Sequence, residues 1–307
     1  MKLEDLGEGG LIRKIRERFQ AAVPVPIGDD AAVFDVPPGH SLVFCSDLLA
    51  ETTHFIRHLH PPDSIGYKSV AANVSDVGAM GGTPHHFLIS LAAPGDLDVA
   101  WIDSFFDGVG QACIEFDISL IGGDSSSSDR IFVDVSMIGT VPSGKAIRRS
   151  GAKQGDSIYV TGQLGGSALG LECLKSGDLK NPAVRRHLYP QPRHRVGAAL
   201  RGRVHAMIDI SDGLSTDLTH IVKESKVSAR IYKDRLPSWP GASPDDVLHG
   251  GEEYELIAVS SQDLPAVVTN VALTQIGEII DSGFENQVFL IDGNQESVLK
   301  PRGWQHF

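Results

Sequence analysis

Ser69-Val-Ala-Ala-Asn-Val-Ser-Asp76-Val-Gly-Ala-Met-Gly-Gly-Thr-Pro84 carries two stripes at helical spacing. Val70, Val74 and Val77 form an apolar stripe, and Ser69, Asn73 and Asp76 follow the same intervals one position earlier. Residues three and four apart share a helix face, so this stretch reads as a helix with one face for a core and one for chemistry. Pro61-Pro62 sets its start near Asp63, and Gly81-Gly82 its end. Downstream, Ile102, Phe105, Phe106, Val109 and Cys113 give residues 98–116 the same period. Upstream, Leu11, Ile15 and Phe19 mark a shorter helix over 11–19.

Strands are expected at 41–45, 118–121 and 131–140. Turn formers concentrate at 142–156, which places a domain boundary there and gives domains 1–142 and 143–307. The second part reads as a strand at 157–161, a helix at 164–174, a strand at 207–210, a turn, and a helix at 214–222. An irregular connection at 237–246 and late strands at 254–259 and 288–291 follow. Strands alternate with helices too irregularly for a Rossmann or TIM architecture, so the expected class is α+β in two domains.

The 307 residues are 41% apolar, enough for a substantial core in about two domains. Cys45, Cys113 and Cys173 are far apart and form no C-x-x-C pair, which argues against a zinc ribbon or a disulfide framework. A net charge of -12 argues against a nucleic-acid partner. Met1-Lys-Leu-Glu-Asp has no apolar signal core, and no apolar run reaches the roughly 18 to 20 residues of a membrane span. A cytoplasmic protein without a membrane partner is expected.

Five acidic segments stand out: Gly28-Asp29-Asp30, Ser46-Asp47, Asn73-Val-Ser-Asp76, Gly122-Gly-Asp124 and Asp209-Ile-Ser-Asp212-Gly213. Three are expected where strands end, positions from which a scaffold can aim ligands at one cleft. Mg²⁺ takes oxygen ligands, typically one or two carboxylates plus substrate phosphates, so several ions need aspartates from several segments. Neighbouring glycines let backbone N–H groups approach phosphate oxygens. Taken singly, each segment is equally a helix cap or an Asx turn, and Asp76 equally a solvated helix residue. Together they point to cations bound beside phosphates.

Other motifs are weaker. Gly139-Thr-Val-Pro-Ser-Gly-Lys145-Ala146 departs from a P-loop at Ala146, where the metal-binding hydroxyl belongs. The glycines of 162–170 suit either a phosphate loop or helix-entry packing. His58, His60, His85 and His86 lack a metal-ligand spacing and read as surface histidines.

Read in order, these motifs resemble the thiamine-monophosphate kinase family. The resemblance also takes in His54-Phe55, Arg149-Ser-Gly-Ala-Lys-Gln-Gly-Asp156, Gly250-Gly-Glu-Glu-Tyr-Glu-Leu256 and Gly303-Trp-Gln-His-Phe307, and so nearly the whole chain. It implies the two-domain synthetase-like fold of aminoimidazole ribonucleotide synthetase and selenophosphate synthetase. In that fold the N-terminal domains pair in a homodimer and the C-terminal domain covers the cleft. It also implies ATP and thiamine monophosphate as substrates, several Mg²⁺ ions, and direct in-line transfer without a catalytic base. By match to the family, Asp30, Ser46, Asp47, Asp76, Asp124, Asp209 and Asp212 are expected to bind metal. Phe106, Gly123, Asp124, Arg149 and Ser211 are expected to contact ATP, and His54, Glu252 and Trp304 the thiamine phosphate. Arg148 and Glu253 stand beside two of these and compete for the same roles; Trp304 equally suits core packing. Cys45 departs from the family's usual hydroxyl residue, and Phe106 lacks the hydroxyl of a tyrosine found in some relatives. Two alternatives remain: a synthetase of the same superfamily acting on an amide or selenide, and a sensor that binds without catalysis.

Overall fold

In the computed structural model, which describes residues 1–27, 31–281, 283 and 285–304, the chain divides into two units. One is Met1–Val77 with Thr83–Ser143, the other Gly78–Gly82 with Gly144–Phe307.

The first unit contains α1 (Leu3–Arg18), β1 (His40–Ala50), α2 (Pro62–Ala79, whose last residues enter the second unit), β2 (Thr83–Ala93), α3 (Val99–Phe116), β3 (Ser119–Ser127) and β4 (Phe132–Pro142). Its sheet has the order β1-β4-β2-β3. Pairing is antiparallel except between β2 and β3, the two strands that α3 connects. On β4, the buried Val133, Val135 and Met137 alternate with the half-buried Asp134, Ser136 and Ile138. That period of two turns one face inward. Helix α2 packs there: a Cβ added to Gly139 of β4 would lie 2.6 Å from Val77 Cγ1. Helices α2 and α3 also touch closely, since a Cβ on Gly66 would meet the Phe105 carbonyl oxygen at 2.1 Å. On β1 the opposite side is open, and Leu42, Phe44 and Leu48 are 52%, 67% and 50% exposed.

The expected helices at 98–116 and from Asp63 are present as α3 and α2. Helix α1 reaches further back than 11–19 because it continues through a kink at Gly7, where φ is 67°. Strand β2 was not anticipated: Pro84-His85-His86 carries no clear alternation, and β4 on one side and β3 on the other supply its order. Strand β1 does not stop at Cys45. Its ladder with β4 runs from His40↔Pro142 to Ala50↔Phe132, so Ser46 and Asp47 lie inside a strand rather than in a loop after it. Likewise β3 runs through Gly122-Gly123-Asp124, paired with Leu88, Ile89 and Ser90 of β2. In both places the partner strand continues the pairing past the residues whose polarity suggested a loop.

The second unit contains β5 (Ser157–Thr161), α4 (Gly166–Ser176), α5 (Pro182–Leu188), α6 (His194–Ala199), β6 (Ala206–Asp209), α7 (Leu214–Ser225), β7 (Ser228–Tyr232) and a 3₁₀ turn at Lys233–Arg235. Then come α8 (Pro244–His249), β8 (Leu256–Ser260), β9 (Val267–Val268), β10 (Val271–Ile280), β11 (Val288–Asp292) and β12 (Gln295–Val298). The sheet order is β12-β11-β7-β10-β5-β8-β6, with β9 paired to β10. Both faces of its β5-β8-β6 end are covered. Ile158, Val160, Ile208 and Ile257 pack in one cluster with Leu214 and Leu218 of α7. Tyr159, Met207, Leu256 and Ala258 pack in another with Val196 and Leu200. Strands buried on both sides read as unbroken apolar runs, which is why β5, β6 and β8 are legible in the sequence.

No helix among the described residues is long and apolar enough to cross a membrane. The three cysteines are free thiols.

Candidate active site

In the second unit the site is organised by the turn between β6 and α7. Asp209, the last residue of β6, is 4% exposed. The chain then turns through Ser211, Asp212 and Gly213. Gly213 has φ 122°, and a Cβ there would stand 2.6 Å from the His249 carbonyl oxygen, so only glycine fits. Asp217, one turn into α7, closes the corner: its Oδ2 accepts the backbone N–H groups of Asp212 at 3.1 Å and Gly213 at 3.0 Å. Two distant segments hang on this turn. The Glu252 N–H donates to the Ser211 carbonyl oxygen at 2.7 Å, and the Trp304 N–H donates to the Asp212 carbonyl oxygen at 3.1 Å.

Four of the expected residues are thereby joined: Ser211, Asp212, Glu252 and Trp304. The Trp304 side chain is half exposed, which is not the state of a core tryptophan. Glu252 keeps its carboxylate partly exposed, whereas Glu253 is 1% exposed. Glu253 accepts the Ser167 N–H at 2.9 Å and lies 3.4 Å from Arg186. Burial pushes its carboxyl up to about 7, against the opposing effect of Arg186.

The same corner concentrates negative charge. Burial first, then the charges of Asp209 and Asp212, raise the Asp217 carboxyl well above the usual carboxylate range; the two N–H donors oppose that shift. Ligand atoms of Asp212, Asp217 and His220 lie within 4.8 Å of one another. Crowded, partly desolvated carboxylates at a strand end are the donor chemistry a hard divalent cation takes. Arg149 belongs to this neighbourhood, because burial of the ring and then the Arg149 charge lower the His220 imidazole. Both Arg148 and Arg149 are exposed, and each is tied through its backbone carbonyl, to Met207 N–H and to the Ser225 hydroxyl.

In the first unit, Phe106, Gly123 and Asp124 line one cavity of about 800 Å³, together with Pro26, Ile27 and Ser125. Among the described residues β3 is an edge strand, so the cavity meets a strand paired on one side. A Cβ on Gly123 would stand 1.9 Å from the Ile89 carbonyl oxygen. Phe106 is buried against Phe19 and Phe105, so ring packing is what it offers. Ser125 Oγ is buried without a hydrogen-bond partner among the described residues.

Ser46 and Asp47 are consecutive in β1 and point to opposite faces. The Ser46 hydroxyl donates to Asp134 Oδ2 at 2.8 Å on the open face. Cys45 shares the inward side with Asp47, and its thiol meets the Asn73 side chain of α2 at 3.5 Å. Asp76, half buried, lies one turn further along the stripe that carries Asn73. Asp47 and Asp124 are on strands three places apart, roughly 14 Å across the sheet, so the sheet itself does not join them. His54 Nδ1 accepts the Ala50 N–H at 2.9 Å just beyond β1. Asp30 lies outside the described residues.

Sequence reading missed Asp134, Asp217, Arg186 and His187. Asp217 carried a signal, an acid four residues after a Ser-Asp-Gly turn; the others meet their partners only across strands or helices. The glycines of 162–170 serve helix entry, since Glu253 occupies the Ser167 N–H near the start of α4. The P-loop-like run is a strand end, with Gly139 paired to Pro84. His60 is buried and is not a surface histidine, His58 is exposed, and His85 and His86 are half-buried, with burial lowering both imidazoles.

Residues 28–141 match the family model "AIR synthase related protein, N-terminal domain", and residues 153–287 match "AIR synthase related protein, C-terminal domain". The thiamine-monophosphate kinase of Escherichia coli K12 is 37% identical over 98% of both chains. A crystal structure of thiamine-monophosphate kinase from Stenotrophomonas maltophilia superposes with a TM-score of 0.80 at 34% identity, covering 88% of this chain and 92% of that one. AaThiL complexed with AMPPCP and TMP superposes with a TM-score of 0.79 at 34% identity, covering 100% and 99%.

Proposed function

The chain belongs to the thiamine-monophosphate kinase family, and from that premise we propose that it transfers the terminal phosphoryl group of ATP to thiamine monophosphate by direct in-line displacement. The observation that carries this reading is the 211–213 turn, on which the Glu252 and Trp304 segments are both hung by backbone hydrogen bonds. A related structure holding an ATP analogue and TMP over its full length supports the same pair of substrates.

Each residue then has a task. Trp304 offers an exposed indole face to a cationic thiazolium, an interaction of roughly 0.5 to 2 kcal/mol. Glu252, rather than the buried Glu253, orients the aminopyrimidine. His54 contributes to the same substrate. Arg149 offers a forked set of donors to phosphate oxygens, and Ser211 is assigned to the same nucleotide. Phe106 and Gly123 bound the nucleotide cavity. The acceptor is a phosphate oxygen already ionised at neutral pH, so no residue acts as general base.

Asp30, Ser46, Asp47, Asp76, Asp124, Asp209 and Asp212 would hold Mg²⁺, and the acid-crowded corner at Asp212 and Asp217 fits a cation. When bound, the ions neutralise the charge that keeps donor and acceptor phosphates apart. Residues 1–142 are assigned Asp30, Ser46, Asp47, Asp76 and Asp124 of the metal set, Phe106 and Gly123 of the nucleotide contacts, and pairing into a homodimer, for which the open face of Leu42, Phe44 and Leu48 is suited. Residues 143–307 are assigned Arg149, Asp209, Ser211 and Asp212 of these contacts, and the protein works in the cytoplasm.

The test is ADP release from the purified protein with ATP and Mg²⁺, with and without thiamine monophosphate. ADP formed only with that acceptor, in step with thiamine diphosphate, is the expected result. Release that instead requires an amide or selenide identifies a synthetase. Binding of both ligands without release identifies a sensor.

A further inference from the structure

The loop that carries Glu252 is held in an unfavourable conformation by groups that take no part in the chemistry described above. Glu252 has φ 59° and Tyr254 φ 52°, two left-handed non-glycine residues on either side of Glu253. Such residues persist only where their surroundings over-determine them, and they concentrate at ligand-binding positions. Helix α5 supplies the surroundings through two consecutive buried residues. Arg186 Nη2 donates to the Glu253 carbonyl oxygen at 2.6 Å and to Glu255 Oε1 at 2.8 Å. His187 Nδ1 lies 3.0 Å from Ser167 Oγ and 3.5 Å from Glu252 Oε2. A proton assigned to Nδ1 suits both oxygens.

Close approach of two helices makes this reach possible. A Cβ on Gly170 of α4 would stand 2.0 Å from the Ala183 carbonyl oxygen and 2.9 Å from His187 Cβ. Glu255 is gripped further by Arg193, with Nε 2.7 Å from Oε2, and by the Thr161 hydroxyl at 2.6 Å. The backbone on both sides of Glu252 is thus fixed: Ser211 holds its own N–H, and the buried pair of Glu253 and Arg186 holds the residue after it. What remains to be set is the direction of its carboxylate, and His187 is a buried group that faces it.

We propose that Arg186 and His187 are positioning residues for thiamine phosphate binding: Arg186 fixes the strained loop, and His187 aims the Glu252 carboxylate at the substrate. The proposal rests on the assignment of Glu252 as a substrate contact. His187 faces the Glu252 carboxylate itself, so its effect falls on thiamine monophosphate.

Steady-state kinetics on His187→Leu, His187→Asn and Glu252→Gln, with thermal melts to establish folding, test it. His187→Leu removes the donor and is expected to raise KM for thiamine monophosphate about tenfold, leaving KM for ATP within about twofold. His187→Asn places an amide N–H near the Nδ1 position and is expected to recover most of that loss. If the leucine variant does not fold, His187→Gln, whose amide reaches the Nε2 position instead, carries the same expectation of a raised KM. Unchanged KM for thiamine monophosphate in the folded variant, or equal rises for both substrates, overturns the proposal. Glu252→Gln separates the two levels: if it too leaves that KM unchanged, the assignment of Glu252 fails; if it raises KM and His187→Leu does not, only the role of His187 fails.

Discussion

The Trp304 N–H donates to the Asp212 carbonyl oxygen across 3.1 Å, so a residue near the C-terminus and an acid from the β6–α7 turn are fixed to one another. The contact depends on its neighbour. A Cβ on Gly303 would stand 2.1 Å from that same oxygen, and the Gly303 N–H also donates to Thr216 Oγ1 at 3.1 Å.

Gly303→Ala therefore separates the terminal segment from the turn. The backbone carbonyl cannot yield as a flexible side chain would. We expect a loss of at least tenfold in kcat/KM for thiamine monophosphate with little change in melting temperature, measured by coupled ADP assay and thermal shift.

Asp217 ties the other side of the turn through the N–H groups of Asp212 and Gly213. Asp217→Ala takes the acceptor from one buried and one half-buried N–H and is expected to cost about 1–3 kcal/mol of stability. Asp217→Asn keeps an oxygen in place and should lose clearly less. Denaturant unfolding of both variants checks the order; equal stability of alanine variant and wild type would remove this role.

Glu253 gives the fold a pH dependence of definite sign. Its carboxyl is pushed by burial from 4.5 up to about 7, so the folded state holds the proton more tightly than the unfolded chain. That contribution is complete below about pH 4.5 and is lost as pH rises through about 7, amounting to about 3 kcal/mol. Relative to Glu253→Gln, the wild type should lose melting temperature between pH 5 and pH 8. Parallel curves for the two proteins would contradict the assignment.

Phe44 is 67% exposed between Leu42 and Leu48 on the open face of β1. If that face pairs two copies, Phe44→Asp places a charge in the interface. The expected outcome is a monomer by size-exclusion chromatography with light scattering, where the wild type is a dimer. A dimeric variant would move the interface elsewhere.

Asp47→Asn and Asp124→Asn each remove one proposed cation ligand without changing side-chain size. Turnover is expected to fall by orders of magnitude while circular dichroism and melting temperature stay near wild type. Full activity in either variant would exclude that residue from the metal set.

A helical period facing one core made the helices of the first unit legible, and unbroken apolar runs did the same for β5, β6 and β8 of the second, whereas β7 and β10 in the middle of that sheet were not read. Strand β2 was not legible, nor were the full lengths of β1 and β3, since pairing with partners distant in sequence extends strands past polar residues that locally read as loops. The motifs at Ser211-Asp212-Gly213, Glu252 and Trp304 were visible as residues and as an order. Their meeting was not, because the bonds that join them run between backbone groups of segments 41 and 92 residues apart. The difference between Glu252 and Glu253 is of the same kind: two identical side chains, adjacent in the chain, are separated in role by which one the fold buries beside Arg186. The amino-acid order by itself determined which chemical groups this protein has, and the local periods that fold it into helices and strands. Only tertiary packing decided which of those groups meet, because burial, direction and hydrogen-bond partnership belong to the arrangement of segments in space and not to any one segment.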